Sequence, residues 1–153
     1  MQKKIFILLF FLLSSCSYDA IYSKKNSVNY NFSINKLEFI GDRDINLKIK
    51  ERLNNYTLNK KNKNFTLKVS STTSKTILAK DTSGDPTSFK STVALNLEIL
   101  MNDKSKNNFT IVENFSYNNN SDKFSLKRYE KEIKNNLAET IVEKLIFRLS
   151  NIK

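Results

Sequence analysis

The chain has 153 residues, with 26 basic against 15 acidic side chains, one cysteine and no histidine or tryptophan. Lacking histidine, it has no Ser-His-Asp triad, no Cys-His pair and no His-ligated zinc, so no enzyme, metal or cofactor is expected. The formal charge of +11 favours an anionic partner. Only four of the basic residues are Arg, the residue suited to bidentate phosphate recognition, and Lys and Asn together make up 43 positions. Part of the charge is therefore compositional drift, and anionic lipid is a better partner than nucleic acid.

In chain order, Lys3 and Lys4 precede nine uncharged apolar residues, Ile5 to Leu13. That run is too short to cross a hydrocarbon core of ~30 Å, which takes about 20 residues, and matches the apolar region of a secretory leader over 1–15. Leu13-Ser14-Ser15-Cys16 forms a lipobox, which directs diacylglycerol onto the sulfur of Cys16 and cleavage before it. Cys16 is the only cysteine, so the mature chain keeps no free thiol for a disulfide or for catalysis. The mature part, from residue 16 on, keeps 24 basic and 15 acidic residues, a net charge of +9. Residues 16–29 read as a polar, lipidated tether that holds the chain to a membrane, and 30–153 as one domain.

Tyr30, Phe32 and Ile34 alternate with polar residues as a strand does, and Leu37 and Phe39 continue after a change of phase, the mark of a bulge. Ile45, Ile49, Leu53 and Tyr56 predict an amphipathic helix over 44–58, with aspartates before it as caps. Phe65, Leu67 and Val69 begin a second strand, while the Ser/Thr run 70–76 fits an exposed strand or a loop. Residues 80–88 hold the only Pro and one of two Gly, a turn. Phe89, Val93, Leu95, Leu97, Ile99 and Met101 give the clearest strand. Residues 102–108 read as a polar turn, and Phe109, Ile111, Phe115 and Tyr117 as the last strand, with Glu113 out of pattern. A long helix over 125–150 follows, with Ser125 as its cap and Tyr129, Ile133, Leu137, Ile141, Leu145 and Leu149 as its stripe. Ala138, Val142, Ile146 and Phe147 widen that stripe, which calls for a sheet wrapped around that end or a covering partner, the former preferred.

The resulting class is α+β, in the order β-α-β-β-β-α. Its sheet has four mostly antiparallel strands, with two helices packed on one face.

The chain resembles the LPS-assembly lipoprotein (LptE) family, the outer-membrane partner of the β-barrel translocon for lipopolysaccharide (LPS). The likeness rests on Cys16-Ser17-Tyr18-Asp19-Ala20-Ile21-Tyr22 after the lipidated cysteine and on Ala79-Lys80-Asp81-Thr82 at a strand end. The aromatic strand 109–117 with its Asn-rich exit adds to it, as does the closing helix from Tyr129-Glu130 through Leu137-Ala138-Glu139 to Leu145. The resemblance implies a non-enzymatic outer-membrane protein that binds LPS, plugs the translocon barrel and helps it assemble. The basic residues it marks for LPS are Lys80, Lys90, Lys123, Lys127 and Arg128. Phosphates on the LPS headgroup suit Lys ammonium groups, which bind phosphate as point charges. Each of these lysines reads equally well as an ordinary solvated side chain in a Lys-rich chain. The competing reading is a lipoprotein scaffold or activator of an envelope enzyme such as a peptidoglycan synthase.

Overall fold

Alternation of apolar and polar residues builds a sheet whose strands all bury the same face. The computed structural model describes residues 31–58, 61–101 and 104–152. The leader, Cys16 and the tether lie outside the described residues.

Strand β1 (Phe32–Gly41) is followed by helix α1 (Arg43–Leu53), a 3₁₀ turn (Asn54–Tyr56), β2 (Lys63–Lys80), β3 (Pro86–Met101), β4 (Lys104–Asn118) and helix α2 (Lys123–Asn151). The sheet order is β1-β2-β3-β4. β1 runs parallel to β2, as a helical crossover permits, and β2, β3 and β4 form an antiparallel meander. The expected change of phase in β1 is a register shift between Ile34 and Lys36.

One face of the sheet supplies Phe65, Leu67, Val69, Val93, Leu95, Leu97 and Ile99 to the core. Ile45, Ile49 and Leu53 of α1 and Ile133, Leu137, Ile141, Leu145 and Leu149 of α2 meet them. Both helices therefore lie on one face, as the apolar spacing predicts. Ala138 and Val142 are also buried, where α1 lies beside α2 and Arg52 of α1 bonds Glu139 of α2 at 2.6 Å. The first helix thus covers Ala138 and Val142, in place of the wrapped sheet expected from the sequence, while Phe147 stays 68% exposed.

Other boundaries move for local reasons. The first helix ends at Leu53 rather than 58, since Asn54-Asn55 continue only as a 3₁₀ turn closed by the Thr57 N–H on the Asn54 carbonyl. The last helix is capped by Asp122, not Ser125. The Asp122 carboxylate accepts the N–H groups of Phe124 and Ser125, and the Ser125 hydroxyl donates to it at 2.6 Å. β4 begins at Lys104, so the turn expected over 102–108 is shorter. Glu113 breaks the apolar pattern of β4 because it faces the helices and pairs with Lys144.

The Ser/Thr run proves to be strand. β1 leaves β2 at Gly41, opposite Ser71, and β2 continues beyond it to Lys80. The Ser71 hydroxyl bonds Asn46 at 2.7 Å and the Thr73 hydroxyl bonds the Asp42 carboxylate at 2.8 Å, fastening the start of α1 to mid-β2. Polar residues suffice past that point because α1 no longer covers them.

Candidate amphiphile cleft at the hairpin end

The β2–β3 turn and the loop from β4 to α2 meet at one end of the sheet. The Asn119 N–H donates to the Thr87 carbonyl at 2.8 Å, and its side-chain amide to the Pro86 carbonyl at 2.7 Å. Within the turn, the Asp81 carboxylate accepts N–H groups from Ser83 and Asp85, both at 2.9 Å. These bonds hold the hairpin against the start of α2 and leave an open cleft of about 1130 Å³ between them.

Its walls mix aliphatic and aromatic side chains with one guanidinium, Arg128, and one carboxylate, Glu132. Leu78, Phe115, Tyr117, Leu126 and Tyr129 line it beside Arg128. Phe115 and Tyr129 are 45% and 44% exposed, and at the same end Phe124 is 77% exposed. Large apolar groups gathered in the open at one end mark an interaction site.

A polar network lies behind the cleft. Lys75 reaches from β2 to pair with Glu130 of α2, and its ammonium sits 3.8 Å from the centre of the Phe89 ring. The Tyr117 hydroxyl donates to the same Glu130 oxygen at 2.8 Å. Tyr117 packs on Phe89 at 5.7 Å and meets Tyr129 edge-on at 6.0 Å. Partial burial works against ionisation of Glu130, but hydrogen bonds from Lys75 and Tyr117 outweigh it, and its carboxyl sits below the ordinary range. Burial, aided by the Glu130 bond, pushes the Tyr117 phenol up, so it stays a neutral donor.

A carboxyl whose folded pKa is depressed stabilises the fold above its ordinary value, 4.5 for Glu130, and loses that contribution as pH falls through the folded value. Glu130→Gln is therefore expected to cost ~1–2 kcal/mol at pH 7 and progressively less below pH 4.5. Thermal melts of both proteins at pH 7 and pH 3 check this; an equal gap at both would contradict it.

All five basic residues marked by the sequence fall at this end, though not on one side. Lys80 ends β2, exposed beside the turn. Lys123 stands in the first turn of α2 and donates to Asn119 Oδ1 and the Asn120 carbonyl, both at 3.3 Å. Lys127 is exposed one turn on, and Arg128 lines the cleft. Lys90, half-buried, lies between Thr76 and Ser116 in register, on the sheet face away from the helices. It does not look into the cleft. Sequence reasoning missed Lys75 and Glu130. The signal was there in parity, since Lys75 shares the face of Phe65, Leu67 and Val69.

Aromatic walls with Arg128 among them, and Lys80, Lys123 and Lys127 exposed at the same end, suit an amphiphile with an anionic head. Among the described residues, no cluster of Asp and Glu stands ready to hold a metal ion. The fold and the site together define a two-layer α+β domain with a cleft at its hairpin end. Its fold is similar to that of rare lipoprotein B from Shewanella oneidensis, with a TM-score of 0.56 at 14% identity, over 76% of this chain and 98% of that one. A minor lipoprotein from Acinetobacter baumannii matches with a TM-score of 0.57 at 15% identity, over 79% and 91%. The uncharacterized lipoprotein B from Nitrosomonas europaea matches with a TM-score of 0.53 at 11% identity, over 79% and 86%. At such identities the likeness is one of fold. No family model and no curated protein matches the chain.

Proposed function

We propose that this chain is an outer-membrane lipoprotein, anchored through Cys16, that binds LPS and partners the β-barrel LPS translocon as plug and assembly factor. The observation that carries the reading is an aromatic-walled cleft lined by Arg128, with Lys80, Lys123 and Lys127 exposed at the same end of the sheet. Phosphates would meet the cations and acyl chains the ring faces. The fold supports the same reading, because the three solved proteins named above are lipoproteins by name.

The direction of the chain fits an anchored carrier. β1 begins beside Lys63, the first residue of β2, and the hairpin lies at the far end of that 18-residue strand. At ~3.3 Å per residue the two ends stand roughly 60 Å apart. A tether entering at β1 thus leaves the cleft at the other end of the domain.

Replacing Lys80, Lys123 and Lys127 together by Ala is expected to weaken LPS binding about tenfold, each lysine giving up a charge-assisted phosphate contact. Arg128→Ala, at the cleft itself, should weaken it further. Titration of purified protein with LPS measures both. Unchanged affinity in the triple and the Arg128 variants would contradict a site at the hairpin end.

A further inference from the structure

The face of the sheet turned away from the helices carries a second pattern. Two rows of side chains cross all four strands there and line a shallow groove of about 520 Å³. In the first row, Glu38, Lys68, Glu98 and Asn108 stand side by side in register. In the second, Ile40, Ser70, Asn96 and Thr110 do. The charges are settled within the face. Lys68 pairs with Glu98 at 3.3 Å, Lys36 pairs with Glu38 at 2.7 Å, and Thr110 bonds Asn96 at 2.7 Å. The next rows, Thr72-Ala94-Val112 and Ser74-Thr92-Asn114, hold no charge at all. That is unusual placement in a chain where 27% of residues are charged and the net charge is +11.

We infer that this groove binds a neutral oligosaccharide. An anion would meet Glu38 and Glu98, and a cation would meet Lys68, so a neutral ligand fits best. Vicinal hydroxyls both donate and accept, and the groove offers what they need: carboxylates that accept, an ammonium that donates, and amides that do both. Ile40 is 73% exposed at one side, an apolar seat for the C–H face of a sugar ring. With strands ~4.8 Å apart, four of them present polar groups over about 14 Å, the reach of a short saccharide. Exposed faces of antiparallel sheets serve oligosaccharides in other folds. The groove lies across the sheet from the cleft, so the inference does not rest on the LPS reading.

The test is calorimetric titration of the full chain, held in a detergent without sugar, with two neutral probes: an O-antigen oligosaccharide built only of neutral hexoses, and chitotetraose. Saturable binding of either supports the inference, and which of the two binds tells an outer-leaflet source from a cell-wall one. Asn96→Ala with Glu98→Ala should weaken that binding about tenfold, while Lys80→Ala with Lys123→Ala leaves it unchanged. If the double variant at 96 and 98 does not fold, Thr110→Val, which removes one exposed hydroxyl, should still cost about threefold. No binding of either probe would overturn the inference, as would binding that the groove variants leave untouched.

Discussion

Gly41→Ala is expected to destabilise the domain by roughly 2–4 kcal/mol. Gly41 sits at φ +99°, in the left-handed region that an L side chain rarely adopts. An added Cβ would also lie 1.9 Å from the Ser71 carbonyl oxygen, backbone that cannot swing aside. The chain must turn here, because β1 leaves β2 at this residue while the Asp42 N–H stays bonded to the Ser71 carbonyl at 3.2 Å. Moving that peptide also disturbs Asp42, whose carboxylate caps α1 through the N–H groups of Asp44 and Ile45. One methyl group therefore strains the turn, the strand pair and the helix start together. Urea unfolding measures the loss, and a change below about 0.5 kcal/mol would contradict the geometry.

Phe65→Ala should cost more, about 3–5 kcal/mol. Phe65 is fully buried in β2, paired in register with Ile34 on one side and Met101 on the other. Its ring lies 5.9 Å from that of Phe32, which stacks on Tyr56 at 5.2 Å. Truncation opens a cavity where the 3₁₀ turn after α1 joins the sheet. The cost follows from lost transfer energy plus a void that regular structure on each side cannot close. A lower urea midpoint with an unchanged slope is the expected signature. A loss under about 1 kcal/mol would mean the ring is not part of a close-packed core.

Much of this architecture is legible in the sequence, and the reasons are physical. A period of two in Phe65-Leu67-Val69 and Val93 to Ile99, against a period near four in Ile133 to Leu149, reports which face is buried. Burial of one face is what the fold demands. The Ser/Thr run was ambiguous because the strand there depends on pairing with β3 from the far side of a turn, not on its own apolar face. Glu113 falls out of pattern, and Lys75 escapes notice, for a related reason. Each faces the helices, and each is made tolerable by a partner distant in sequence, Lys144 and Glu130. No local pattern announces such a partner.

The candidate site was legible as residue types but not as a shape. Lys80, Lys123, Lys127 and Arg128 could be picked out as basic residues near turns. Their convergence depends on Asn119 bonding Thr87 and Pro86, a contact between loops more than thirty residues apart. Phe115, Tyr117 and Tyr129 read as ordinary core positions, yet Phe115 and Tyr129 stand half-open on the cleft because the sheet outruns its helical cover there. The two rows on the opposite face were invisible without the register of all four strands.

Copurification from detergent-solubilised outer membrane tests the proposed place beside the LPS translocon most directly. With the full chain tagged at its C-terminus, recovery of a large outer-membrane β-barrel together with bound LPS is expected. Recovery of a cell-wall synthase without the barrel would contradict it.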